Sequence, residues 1–214
     1  MTLSAEVSEV TRGRHAVLKR LAVALGTVLA LAALLVGGWM LWISLRPAPE
    51  GFAPTTGEAG AVAGAPAAAL QYTIDARSRK EWVYFNFSRG QAVSTERESV
   101  DWDLAFRRTD ILTNGGETNP DGLGGAIDLD EAGLEGGPAP ADGYLTDASD
   151  EERGLENPAL HGWYNYNWTT HTVTSKEHTY ALRTAAGEVV LLTFVSYYCD
   201  DDSAGCVTFR YTYS

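Results

Sequence analysis

The chain has 214 residues, of which 45% are hydrophobic and 21% are charged, and its formal net charge at pH 7 is −12. Residues 69–214 carry 11 Lys and Arg against 24 Asp and Glu, and so acidic a segment repels nucleic acid and anionic lipid headgroups. Composition therefore argues against nucleic acid as a partner, and the length provides for one ordinary folded domain beside any targeting segment.

An uninterrupted apolar run at residues 21–45 predicts a transmembrane helix. The run contains no ionisable side chain, and Lys19, Arg20 and Arg46 flank it. As a helix it is about 37 Å long, so it can cross a hydrocarbon core of about 30 Å with some tilt. A buried helix of a soluble protein is the alternative, but it would need a large core on every side, which one modest domain does not offer.

The flanking charges predict the orientation of this span. Four Lys and Arg residues lie in residues 1–20, whereas Arg46 is the only base that follows closely. The positive-inside rule then makes residues 1–20 a cytoplasmic stub, and Trp39 and Trp42 mark the outer interface. The apolar run is longer than the core of a signal peptide, which favours an uncleaved anchor. We expect a bacterial inner-membrane protein whose main domain is periplasmic.

Residues 46–68 are rich in Pro, Gly and Ala and predict a linker between the span and the domain. Four prolines prevent a continuous helix in this segment. The folded domain is therefore expected at residues 69–214.

Short runs of aromatic and β-branched residues in this domain predict an all-β, antiparallel fold. The clearest runs are residues 179–183, 189–198 and 207–213, which we expect to form a C-terminal meander with its last strand well inside the sheet. Residues 117–157 are rich in Gly, Pro and acidic side chains, and they predict a long excursion with little regular structure.

The two cysteines, Cys199 and Cys206, predict one disulfide because the domain is expected outside the cytoplasm. Two thiolates without a nearby histidine do not complete a four-ligand zinc site. The Asp-rich turns do not match the calcium-loop pattern, so we expect solvated turns and no metal site. No nucleophile, zinc-protease or phosphate-loop motif occurs, and we expect no enzyme.

Several blocks of the domain together resemble the HmuY family of haem-binding, β-rich proteins of Gram-negative bacteria. The resemblance implies an all-β fold, export from the cytoplasm, and a haem held by two axial His or Met side chains. The blocks are residues 82–85 (WVYF), 102–116 (WDLAFRRTDILTNGG), 162–167 (GWYNYN), 179–188 (TYALRTAAGE), 196–199 (SYYC) and 208–213 (TFRYTY).

Candidate haem ligands in this chain are His161, His171 and His178. The domain has no methionine, and its three histidines all lie in one part of the sequence. The sequence therefore gives little support to a pair of histidine ligands from well-separated loops. Polar positions in a strand or turn are the alternative role for these histidines.

Two functions fit these features. The favoured hypothesis is a non-catalytic, single-span accessory or scaffold subunit of an inner-membrane protein complex. Its helix would pack between integral membrane subunits through Gly37, Gly38, Trp39 and Trp42, because missing side chains permit close approach. The alternative is a membrane-tethered haem-binding protein of the HmuY type, with haem as its cofactor.

Overall fold

The computed structural model describes residues 3–45, 48–62, 69–135 and 137–214. The chain divides into two compact units, Met1–Ala48 and Pro49–Ser214. The first unit contains one helix, α1 at Leu3–Ser44. It begins earlier than the predicted span because no proline interrupts the chain before Pro47. Within α1, Lys19–Trp42 has a mean hydropathy of 2.4 and is long and apolar enough to cross a membrane.

The described residues of the second unit form fourteen β strands, most of them short. This confirms the predicted all-β class. The strands are β1 Gly60–Ala61, β2 Leu70–Asp75, β3 Val83–Asn86, β4 Gln91–Val93, β5 Leu104–Arg107, β6 Asp110–Thr113, β7 Gly125–Asp128, β8 Ala148–Asp150, β9 Gly154–Glu156, β10 Tyr164–Asn167, β11 Thr172–Ser175, β12 Thr179–Arg183, β13 Val189–Tyr198 and β14 Ala204–Tyr213.

The largest sheet has six antiparallel strands in the order β1-β2-β14-β13-β12-β7. Strands β12, β13 and β14 form the predicted meander, and β14 lies inside the sheet because β2 pairs with its free edge. The alternation of the last strand places Val207, Phe209 and Tyr211 in the core. The Cys199–Cys206 disulfide closes the loop between β13 and β14, as predicted.

A second sheet, in the order β4-β3-β5-β6, packs against the first through aromatic side chains. The ring of Phe209 in β14 stacks on Phe106 of β5 at 5.5 Å and meets Phe85 of β3 edge-on at 5.0 Å. All three are fully buried, and each such burial contributes about 1.5–3 kcal/mol to stability. These rings join the two sheets into one core.

Residues 49–62 of the predicted linker, which we call the strap, lie along the β unit, whereas its residues 46–47 and 63–68 lie outside the described residues. Strand β1 of the strap pairs with β2, and the amide of Phe52 donates to the carbonyl of Tyr198 at 2.9 Å. Gly51 forms a bridge with Tyr198, where an added Cβ would lie 2.0 Å from the Cys199 carbonyl oxygen. The prolines prevent a helix here but not an extended segment that covers sheet edges.

The predicted excursion at residues 117–157 also holds more structure than its composition suggested. Strand β7 pairs with β12 at the edge of the large sheet, and β8 and β9 form a two-stranded hairpin. The sequence of this excursion also suggests one short helical turn near residues 129–134, but the structure has no helix there, and of these described residues only 130, 131 and 134 lie in turns. Contacts with distant elements, rather than local periodicity, order this segment.

The β10–β11 hairpin forms a separate two-stranded sheet rather than part of the C-terminal meander. It is held beside β13 by two hydrogen bonds. The Val173 amide donates to the Tyr198 hydroxyl at 2.9 Å, and the Ser175 hydroxyl donates to the Phe194 carbonyl at 2.7 Å.

Candidate functional site

A cavity of about 470 Å³ lies where the β5–β6 turn, the β8–β9 hairpin and the start of β10 meet. This volume is in the range of small-molecule sites. Its walls combine aromatic and aliphatic side chains with three guanidinium groups. The lining side chains that matter below are Trp82, Arg97, Arg107, Asp110, Ile111, Arg153, Leu155, Glu156, His161 and Tyr164.

One wall of the cavity carries His161, whose ring is fixed by a carboxylate. Its Nδ1 lies 2.8 Å from Oε2 of Glu156, and the two side chains are 50% and 14% exposed. Arg153 contacts the same carboxylate, with Nη2 2.8 Å from Oε1 of Glu156. A carboxylate on Nδ1 sets the orientation and the tautomer of an imidazole. The arrangement therefore presents Nε2 as the nitrogen left for a ligand.

The facing wall is formed by Trp82 and the β5–β6 turn. The guanidinium of Arg107 lies over the Trp82 ring, 4.3 Å from its centroid, and also pairs with Asp110 at 3.0 Å. A guanidinium over an aromatic ring is attracted to the face of the ring, and its edge can still bind a carboxylate. This wall can thus contact an aromatic ligand and an acidic substituent of the same ligand.

Trp163 connects the histidine wall to the turn that faces it. The indole is fully buried, and its Nε1 donates to the Thr109 carbonyl at 3.0 Å. The ring also packs on Phe194 of the large sheet, with centroids 4.7 Å apart. The residue therefore belongs to the core and holds His161 and Tyr164 on either side of it at the cavity.

A buried polar cluster around Asp147 is connected to the wall of the cavity that carries His161. The Asp147 carboxylate accepts hydrogen bonds from the Thr113 hydroxyl at 2.7 Å, the Thr118 hydroxyl at 2.6 Å and the Asn157 amide at 2.9 Å. The Asn157 carbonyl in turn accepts from the His161 amide at 2.8 Å. Burial raises the pKa of Asp147, and these hydrogen bonds oppose the rise.

Sequence reasoning missed this cluster, because Asp, Asn and Thr in a Gly-rich segment have the composition of a solvated turn. One signal was present. Gly116 adopts a positive φ of 62° and lies so close to the Asp147 carbonyl that an added Cβ would be 2.3 Å from it. The Gly115–Gly116 pair after Asn114 therefore indicates close packing of the backbone as well as the end of a strand.

The other two predicted haem ligands lie outside the cavity. Nδ1 of His171 lies 2.6 Å from the Tyr166 hydroxyl in the β10–β11 hairpin. His178 has Nδ1 3.0 Å from Asp128 and Nε2 3.2 Å from Asp130, so both of its nitrogens are engaged. The structure thus brings only His161 to the cavity, and the three histidines do not form one ligand set.

No group of three or more His, Cys, Asp or Glu side chains placed to hold a metal ion occurs in residues 3–45, 48–62, 69–135 and 137–214. The predicted helix-packing positions lie on α1, where an added Cβ at Gly37 or Gly38 meets no described atom within 4 Å. Trp39 and Trp42 are about half exposed, at 47% and 57%. Packing of this helix against other subunits stays a prediction.

Three solved structures share this fold at low sequence identity. A candidate lipoprotein from Bacteroides fragilis is 22% identical, with a TM-score of 0.56 over 74% of this chain and 97% of that one. A candidate HmuY-like haem-binding protein from Bacteroides vulgatus is 18% identical, with a TM-score of 0.53 over 67% and 90%. An apo HmuY analogue from Tannerella forsythia is 21% identical, with a TM-score of 0.53 over 66% and 93%.

The sequence itself matches a family as well as a fold. Comparison with curated proteins finds no significant match. The family model described as HmuY protein matches residues 78–211, which covers more than half of the chain and every strand from β3 to β13. The resemblance seen in the sequence is thereby confirmed, and the chain belongs to the HmuY family.

Proposed function

We propose that the chain is a membrane-tethered haem-binding protein of the HmuY type, with its β unit on the periplasmic side of a bacterial inner membrane. The observation that carries the proposal is His161, an imidazole oriented by Glu156 at the wall of a cavity of about 470 Å³. One solved structure that shares the fold is named as a HmuY-like haem-binding protein. Family and cavity therefore support the same ligand.

The residues of the cavity fit a haem. His161 would supply an axial nitrogen, and Tyr164 is the other lining side chain of a type known to ligate haem iron. Trp82 and Ile111 provide apolar surface for the macrocycle, and Arg97, Arg107 and Arg153 can pair with its two carboxylates. When bound, the haem would supply an iron that accepts a nitrogen or oxygen ligand from the protein. Glu156 would hold the His161 ring in place for that bond.

The membrane tether is supported by the composition of α1 and its flanks. Lys19–Trp42 has the length and hydropathy of a membrane span, and the basic residues before it favour a cytoplasmic N-terminus. The Cys199–Cys206 disulfide of the β unit suits an oxidising compartment. The proposed location therefore follows from three separate features of the chain.

Membership of the HmuY family favours the haem-binding alternative over the accessory-subunit hypothesis that the sequence first suggested. The lack of a second, well-separated histidine ligand in the sequence counted against haem binding. A cavity with one imidazole, one phenol and three guanidinium groups removes this objection, because a single protein nitrogen can hold haem iron. Packing of α1 against integral membrane subunits stays a separate prediction.

A haem titration of the full chain in detergent tests the proposal. We expect a saturable Soret band for the wild-type protein and a loss of affinity of about 10-fold or more for His161→Ala, as for loss of a metal-ligand contact. The matched control is His171→Ala, which removes an imidazole from the hairpin and should titrate as the wild type does. Equal affinities for all three proteins, or no band, would refute the proposed site.

A further inference from the structure

The tip of the β10–β11 hairpin is aromatic, exposed and uncharged. Trp168 is 70% exposed and Tyr166 is 55% exposed. Residues 163–175 contain no Lys, Arg, Asp or Glu, although residues 69–214 as a whole are strongly acidic. Two large rings on an uncharged tip contrast with the surface around them, and the cavity uses neither ring. The exposed rings of Trp168 and Tyr166 therefore indicate a contact surface outside the proposed haem site.

The hairpin leads towards one end of the large sheet. Ser175 of β11 is hydrogen-bonded to Phe194 of β13, and Val173, which is nearer to the tip, is hydrogen-bonded to Tyr198, the last residue of β13. The hairpin therefore runs towards its tip in the direction in which β13 runs towards its C-terminal end. The tip follows beyond Val173 in the same direction. Trp168 thus lies at the Tyr198 end of the sheet.

The strap enters the β unit at the same end. The Ser196 hydroxyl donates to the Glu50 carbonyl, and the Phe52 amide donates to the Tyr198 carbonyl at 2.9 Å. Glu50 follows the last residue of α1, Ser44, by six positions. Six extended residues reach at most about 20 Å. The chain that leaves the apolar helix is therefore tied to the end of the sheet that carries the aromatic tip.

We propose that Trp168 and Tyr166 insert into the headgroup zone of the bilayer that α1 crosses, so that the β unit docks on the membrane by its Tyr198 end. Indole and phenol rings prefer this zone because they have an apolar body and a polar atom. The tether keeps the tip close to the surface, so weak intrinsic affinity is sufficient. Docking goes beyond haem binding but rests on the tether included in the proposed function.

The charges at this end predict which lipid surface is preferred. Asp200, Asp201 and Asp202 follow Tyr198 in the loop closed by the disulfide. They repel anionic headgroups, whereas zwitterionic headgroups carry no net charge. Arg77 interacts with Asp200 and Asp201 and offsets part of this repulsion, so docking is expected on zwitterionic phosphatidylcholine.

Spin labels on the full chain in phosphatidylcholine nanodiscs test the docking. One label replaces the exposed Thr170 beside the tip, as Thr170→Cys. The matched control is Leu123→Cys, which is 56% exposed and lies at the opposite end of the sheet, where the Leu123 amide donates to the Ala185 carbonyl. The two ends of β13, a strand of ten residues, are about 30 Å apart.

We expect the label at position 170 to be severalfold less accessible to a water-soluble nickel chelate than the label at position 123. Adding Trp168→Ser to the Thr170→Cys protein should raise its accessibility to the level at position 123. Equal accessibility of the two labels in nanodiscs that contain the chain would overturn the docking and leave haem binding intact. Failure of the chain to enter nanodiscs would overturn both the docking and the tether, whereas the haem titration in detergent would be unaffected.

Discussion

The C-terminal meander and the excursion at residues 117–157 are built by different means. Strands β12 to β14 pair with their neighbours in the chain and are buried over most of their length. The excursion instead gains order from contacts with elements distant in sequence, such as Asp147 with Thr113, 34 residues apart. The meander supplies the core, and the excursion supplies Arg153 and Glu156 to the cavity.

This difference assigns separate roles to the two regions. Burial of aromatic rings in the meander is expected to determine the free energy of unfolding, because each ring removes a large apolar area from water. Polar contacts in the excursion are expected to determine where His161 and Glu156 lie, because hydrogen bonds set direction more than stability. Substitutions in the meander should therefore affect mainly stability, whereas substitutions in the excursion should also affect haem binding.

Removal of a core ring should have the largest effect on stability. Phe209→Ala leaves a cavity between Phe85 and Phe106, and the expected loss in the free energy of unfolding is about 3–5 kcal/mol. Urea denaturation measures it. The control is Val100→Ala at a position that is 52% exposed, where a change of about 0.5 kcal/mol or less is expected. Similar losses for both variants would show that burial of the Phe209 ring does not determine the stability of the core.

Disruption of the buried polar cluster should have the next largest effect. In the wild type, the Asp147 carboxylate accepts hydrogen bonds from three side-chain donors, the Thr113 hydroxyl, the Thr118 hydroxyl and the Asn157 amide. Asp147→Asn replaces one of the accepting oxygens with an NH2 group, which is itself a donor. The expected loss is about 1–3 kcal/mol, because buried donors are left without an acceptor. Haem affinity should also fall, since Asn157 holds the His161 amide. A variant that is destabilised but binds haem normally would separate the cluster from the site.

Loss of the carboxylate beside His161 should change ligand binding rather than stability. Glu156→Gln keeps the shape of the side chain but weakens its hold on Nδ1 of His161, and haem affinity should fall by about 10-fold. The matched control is Asp128→Asn, which weakens the corresponding contact of His178 outside the cavity. Equal haem affinities for the two variants would show that Glu156 does not orient the axial ligand.

The pH dependence of stability should show the smallest effect. Burial raises the pKa of Asp147 above its ordinary value of 3.8 in the folded state. The folded protein then binds more protons than the unfolded chain, so this contribution to stability is present below pH 3.8 and is lost as pH rises through the folded pKa. Asp147→Asn should remove that loss from the pH profile of the urea midpoint.

Asp150 in the same excursion provides a control of opposite sign. Hydrogen bonds from the backbone amides of Glu152 and Arg153 lower the pKa of Asp150. Its contribution is therefore present above pH 3.8 and is lost as pH falls through the folded pKa. Asp150→Asn should reduce the loss of stability in acid and leave the effect of Asp147 unchanged. Identical pH profiles for both variants would contradict these assignments.

The sequence predicted the meander, the disulfide and the apolar helix because each depends on local pattern or residue type. Val207, Phe209 and Tyr211 alternate with polar residues, and that period of two places them in a core. The order of the strap was not predictable, because Gly51 meets Tyr198 only after the whole domain has folded. A Pro- and Gly-rich segment has the same composition whether it is free or bound along a sheet edge.

The candidate site was predictable only in part. His161 was among the histidines singled out, but its separation from His171 and His178 depends on three different partners. Trp82 and Arg107 reach the cavity from a second sheet, far from His161 in sequence. Such a site is assembled by tertiary contacts, which neither periodicity nor a short motif encodes.

Chemical rescue of His161→Gly tests the central claim most directly. The full-length variant is loaded with haem, and its absorption spectrum is recorded before and after addition of imidazole. If His161 is the axial ligand, the wild-type Soret band should be absent before addition and restored afterwards, because free imidazole can occupy the space left by the side chain. A variant that has the wild-type band without imidazole would contradict the account.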